Sequence, residues 1–185
     1  MRRLRVGLVA LMALTLLASA AVAVAGNGKT PPGWNGNSQK YTAMSVTNPN
    51  DPSEVSDVLV RERTPDAVLA QHMKALNACD WEGLMQQYPD SYELRLPGGT
   101  VVVGRVEAAA TFAGFVKPHA EGGLCGITFT EISRQVTGGT LAVTWEANAS
   151  FLAEPYQGSD AYITHDGLMV SMVSTFDGAD LKFKP

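Results

Sequence analysis

One histidine is the residue in this chain best placed to do chemistry. His72 lies in TPDAVLAQHMKALNACD, residues 64–80. At about 100° per residue, Val68, Leu69, His72, Met73, Leu76 and Cys79 share one side, while Gln71, Lys74 and Asn77 lie opposite. A helix cannot bury that stripe without carrying the imidazole inward. Imidazole titrates near neutral pH, so in an apolar cavity it can serve as general acid or base. A buried histidine can equally do no more than donate one structural hydrogen bond. The other polar residues offer less. His119 reads as a solvated loop residue, Tyr88 as packing, and His165 and Asp166 as turn residues. Ser171 and Ser174 have no nucleophile elbow around them. No phosphate loop, dinucleotide fingerprint or metal motif is present, so neither a cofactor nor a metal is expected. The chain's two cysteines, Cys79 and Cys125, are too few for a four-ligand structural zinc site. They read as one disulfide joining the end of the first helix to the 122–126 loop, or as two separate buried thiols.

The elements that must position these residues follow from capping and periodicity. Thr64 is a good N-cap, Pro65 suits the first helical position and Asp66 complements the positive end of the dipole. Asp80 caps a second, short helix through Trp81, Leu84, Met85 and Tyr88. Tyr92, Leu94 and Leu96 then alternate with Glu93 and Arg95 as a half-buried strand. Pro97-Gly98-Gly99 turns, residues 100–103 return as a strand, and Gly104 opens a helix offering Val106, Ala109, Ala110, Phe112, Ala113 and Val116 for burial. From Ile127 onward the pattern is antiparallel sheet. Leu141, Val143, Trp145, Ala147, Ala149 and Phe151 alternate cleanly, Pro155 and Gly158 interrupt, and residues 159–164 form a further strand. His165-Asp166-Gly167 makes a hairpin turn, and Leu168, Val170, Met172 and Phe176 mark the last strand. The order predicts an α+β domain whose cone-shaped, curved mixed sheet packs on about three N-terminal helices, leaving an apolar pocket between the first helix and the sheet. Trp145 fits the core, a pocket wall or a dimer interface. Because a curved sheet needs only one face for its core, its apolar neighbours predict a homodimer through the outer face.

The ends and the charge narrow the class. Arg2, Arg3 and Arg5 precede an apolar run from Val6 to Ala18 and a small-residue site at Ala23-Val24-Ala25, which reads as a signal peptide over residues 1–25. The expected location is secreted or periplasmic, with no stable membrane anchor after cleavage. Residues 26–63, rich in Gly, Asn and Pro at either end, read as a flexible segment, and residues 64–185 as the domain. The chain has 14 basic and 18 acidic side chains, and losing three arginines leaves 11 against 18, a net charge of −7. Such a surface repels nucleic acid.

Three stretches carry a family resemblance: HMKALNACDWEGLMQQY, the PGGTVVVG turn leading into a helix, and DAYITHDGLMVSM. Together they resemble the nuclear transport factor 2-like superfamily, the cone fold of SnoaL-like polyketide cyclases and ketosteroid isomerases. The resemblance implies a pocket for a small apolar or carbonyl-bearing molecule. It also carries two alternatives: a cofactor-independent isomerase, cyclase or dehydratase, or a dimeric interaction module without catalysis. Matched to ketosteroid isomerase, the hydrogen-bonding tyrosine of the first helix falls at His72, and the protonated oxyanion-hole aspartate at or beside Asp160. The general base falls at Leu96, which cannot move a proton. His72 with Asp160 is therefore the catalytic pair implied, with Tyr162, Trp145, Leu96 and Met73 as ligand-contacting residues.

Overall fold

The computed structural model describes residues 41–185; the expected signal peptide over residues 1–25 and the first part of the expected flexible segment lie outside them. Helix α1 spans Pro65–Ala78, with Thr64 Oγ1 accepting from the Ala67 N–H at 3.1 Å. Cys79 closes it in the left-handed region (φ 54°), returning its N–H to the Ala75 and Leu76 carbonyls. Asp80 at once caps α2, Trp81–Met85, its Oδ1 accepting from Gly83 N–H at 2.8 Å. This close succession of stop and start turns the chain inward, and Trp81, Leu84, Met85 and Tyr88 are all buried. Helix α3 runs over Gly104–Phe115.

A two-stranded hairpin, β1 (Val46–Asn48) and β2 (Asp51–Ser56), precedes the helices. The other strands are β3 (Glu93–Arg95), β4 (Val101–Val103), β5 (Thr128–Thr137), β6 (Thr140–Asn148), β7 (Tyr156–His165) and β8 (Leu168–Ser174). These six form one mixed sheet in the order β4-β3-β8-β7-β6-β5, with β3 and β8 parallel and every other pair antiparallel. Cross-strand partners share a face. The register therefore lines up Leu141, Tyr162, Met172 and Leu94 in one row, and Val143, Asp160 and Ser174 in the next. Both rows face the helices.

Several expectations change. Leu141, Val143, Trp145 and Ala147 are all internal, with Trp145 only 1% exposed, so the apolar stripe that suggested a homodimer belongs to the core. The outer face beside it presents small residues such as Ala142, Thr144, Ser159 and Ala161. On α3, Val106 and Ala110 point outward, while Arg105 and Ala108 are buried in their place. Gly158 does not interrupt a strand; it lies within β7, directly opposite Trp145. A bulge at Ile163/Thr164 shifts the alternation, so that Met169 is fully buried and Val170 is not, and Phe176 lies past the end of β8.

Residues 41–63, whose composition reads as a tether, pack against the domain as an arm. Its main anchor is Arg105, whose side chain donates to the carbonyls of Met44, Met85, Tyr88 and Ser56 and to the Ser56 hydroxyl. A second anchor is Arg61, which pairs with the buried Asp166 carboxylate at 3.1 Å. Asp166 is thus more than a turn residue.

A candidate active site in the cone

The α1 stripe reaches the interior as its spacing requires, and His72 is fully buried. Its Nδ1 lies 2.9 Å from the Tyr88 hydroxyl, while Nε2 has no protein partner. Tyr88 is itself fixed by stacking, on Tyr92 at 4.2 Å between ring centroids and on Phe112 at 5.0 Å. Burial lowers the imidazole pKa to about 3, so the ring is neutral at physiological pH. It is then too weak a base to take up a proton at neutral pH, and acts as a hydrogen-bonding group instead.

Asp160 comes from the sheet. Its Oδ2 accepts from the Tyr162 hydroxyl at 2.9 Å and its Oδ1 from the Thr175 N–H at 3.1 Å. Burial raises the carboxyl pKa, opposed by the hydrogen bonds from Ser174, Tyr162 and Thr175 and by the nearby Trp145 indole. Tyr162 is raised well above the ordinary phenol range, first by burial and then by Asp160, so it stays a donor. Trp145 Nε1 approaches this carboxylate but meets no acceptor at hydrogen-bonding geometry.

His72 and Asp160 line one cavity of about 50 Å³, and the four expected ligand-contacting residues, Met73, Leu96, Trp145 and Tyr162, line it too. Met73 and Leu76 are only partly covered because they face this space. The imidazole and the carboxylate are held by two separate bonds. Tyr88 orients the histidine, and Tyr162 holds the aspartate. Most of the remaining wall is apolar, including Phe112, Phe115 and Phe129. Cys79 lies in the wall and is disulfide-bonded to Cys125, with Cα atoms 5.7 Å apart.

Sequence reasoning passed over two residues of this site. From the sequence Tyr88 reads as packing, and nothing in the spacing links it to His72, sixteen positions earlier. Ser174 was visible only through register, as the β8 partner of Asp160. His119 also departs from its solvated reading, since its ring stacks flat on Phe151 at 3.9 Å and faces Phe183 at 5.0 Å.

No protein-family model and no curated protein matches the sequence. Solved structures do. An NTF2-like protein from Cytophaga hutchinsonii aligns at TM-score 0.50 and 13% identity, covering 63% of this chain and 92% of its own. A cystatin-fold protein from Novosphingobium aromaticivorans aligns at 0.52 and 14%, covering 62% and 100%. An epoxide hydrolase/cyclase-like enzyme with a role in pyran ring formation in the polyether salinomycin aligns at 0.52 and 17%, covering 65% and 95%. At these identities the likeness establishes architecture: the chain has the nuclear transport factor 2-like cone, three helices packed on a six-stranded mixed sheet.

Proposed function

We propose that the protein binds a small, neutral, carbonyl-bearing molecule in the cone cavity. The observation behind this reading is the buried His72 Nε2, which lacks a protein partner, together with Trp145 Nε1, which reaches Asp160 only at poor geometry, in a mostly apolar wall. An unpaired buried polar group costs roughly 1–3 kcal/mol, which a ligand atom would recover. The indole N–H can only donate, so the ligand must present an acceptor. A neutral oxygen suits the site better than a carboxylate, which would place a second acid beside Asp160.

A catalytic reading rests on Asp160. A carboxyl raised by burial is suited to passing a proton to or from carbon next to a carbonyl, with neutral His72 as a hydrogen-bonding partner. Isomerisation, cyclisation and dehydration without a cofactor all need such a group. The epoxide hydrolase/cyclase-like neighbour supports small-molecule chemistry on this architecture. The interaction-module alternative loses its main support, because the stripe proposed as its interface is internal. Export is part of the same proposal, motivated by the signal-peptide pattern of residues 1–25, and the disulfide is consistent with an oxidising compartment.

Native mass spectrometry of the exported protein, followed by a panel of ketones, tests the binding reading. The expected result is a retained neutral ligand whose affinity falls in Trp145→Phe. Equal binding of carbonyl-free analogues by wild type and variant would reject it. For catalysis, Asp160→Asn should retain binding and lose conversion; unchanged conversion would remove Asp160 from the reaction.

A further inference from the structure

Outside the cone cavity lies a second space of about 560 Å³, walled by α3, the 118–124 loop and the C-terminal residues 176–183. The two spaces share four wall residues, Leu96, Phe115, Leu124 and Phe176. Pockets for drug-sized ligands span roughly 300–1,000 Å³. At about 50 Å³ the inner space falls far below that range, whereas the outer one lies within it. The two residues whose ring nitrogens lack a hydrogen-bond partner, His72 and Trp145, however, both line the inner space.

We propose that the ligand has two parts: a compact oxygen-bearing head seated in the inner cavity, and an apolar, ring-sized body held in the outer one. The shared residues form an apolar wall common to both spaces, and in this proposal they part as a collar around the ligand. This rests on the binding reading above and adds to it the shape of the molecule and the residues that select it.

The collar is held from both sides. Leu96 N–H donates to the Thr100 carbonyl at 2.9 Å, and Leu124 N–H to the Phe115 carbonyl at 2.8 Å. The residue after Leu124 is Cys125, which the disulfide ties to the end of α1. On the outer side, Phe183 and His119 belong to one aromatic stack with Phe151. Leu181, on the C-terminal segment itself, is buried. The outer space therefore offers flat apolar walls, with His119 and Asp177 as its only ionisable lining residues. A neutral ring system suits it, and a long charged tail does not.

Gly114 allows a clean test. It lies in α3, lines the outer space, and a Cβ added there meets no atom within 4 Å. Gly114→Trp would fill the outer space, and replacing a helical glycine does not cost helix stability. The probe is a dimethylamino-acetylnaphthalene fluorophore, whose acetyl group serves as the head and whose fused rings serve as the body. Its acetyl-free dimethylaminonaphthalene counterpart is the control. Wild type should bind the acetyl compound about tenfold more tightly than the control, from the added hydrogen bond. Gly114→Trp and Trp145→Phe should each weaken the acetyl probe about tenfold or more at a temperature where both are fully folded, Gly114→Trp melting near wild type and Trp145→Phe lower because of the cavity it leaves. If only Trp145→Phe weakens binding, the inner-cavity reading stands and the outer site is overturned. If only Gly114→Trp does, the probe sits outside without inserting its head, and the two-part ligand is overturned. If wild type does not bind the probe at all, both readings fall.

Discussion

At the scale of single residues, His72 shows how burial changes what a side chain can do. Its spacing on α1 guarantees that it goes inward, and burial then removes the charge that would have made it a pH-responsive catalyst. The same shift makes the fold acid-sensitive. The folded pKa lies near 3 and the ordinary value near 6.5, so the unfolded chain takes up the proton first as pH falls. His72's contribution is intact above about pH 6.5 and is lost progressively as pH falls towards 3. Between pH 6 and 5 the loss should approach roughly 1.4 kcal/mol per pH unit. The stability gap between wild type and His72→Gln, measured by urea unfolding, should narrow by about that slope as pH falls through this interval. A gap independent of pH would mean that the imidazole is not held neutral.

At the scale of an element, β7 owes its place in the site to a missing side chain. Gly158 pairs with Trp145 across β6 and β7, and a Cβ at that position would come within 2.5 Å of the indole and 2.9 Å of Thr175 Oγ1. The glycine leaves room for the tryptophan ring directly opposite it. Two positions further along β7, Asp160 faces the same side. Gly158→Ala should displace the indole and cost about 1–3 kcal/mol, the usual range for overpacking a filled core. It should also shift tryptophan fluorescence and weaken the acetylnaphthalene probe. A variant with wild-type stability and wild-type fluorescence would show that the indole has slack the structure does not display.

At the scale of the whole molecule, one buried cation joins three separate parts. Arg105 ties the N-terminal arm at Met44 and Ser56 to the end of α2 at Met85 and to the Tyr88 carbonyl, while its own backbone belongs to α3. It has no carboxylate within salt-bridge distance among the described residues, and its charge is satisfied by carbonyl and hydroxyl oxygens instead. Hydrogen bonds to charged groups contribute about 1.5–3 kcal/mol each, and removing the donor strands several buried acceptors. Arg105→Leu should therefore cost about 3 kcal/mol or more and expose residues 41–63 to limited proteolysis before the domain itself unfolds. If the arm resists proteolysis as well as in wild type, the hairpin is anchored by other contacts. The link also runs to the site, because the Tyr88 whose carbonyl accepts from Arg105 uses its hydroxyl to orient His72.

Local chemistry determined much of this protein. The caps at Thr64 and Asp80, the Asp166-Gly167 turn and the alternation along β6 act over a few residues, and each is visible in the sequence because short-range sterics and hydrogen bonds decide it. The inward position of His72 and the pairing of Cys79 with Cys125 were legible for related reasons: helical period in the first case, and a lone pair of cysteines in the second. Only the tertiary structure decided the rest. Which face of β6 is internal depends on where the helices lie, and alternation cannot tell inside from outside. Arg105 is buried because distant carbonyls converge on it from the arm and α2, and no pattern along α3 announces that. Tyr88 and Tyr162 became the partners of His72 and Asp160 through packing and register, which set distances between atoms far apart in sequence or aimed by neighbouring strands.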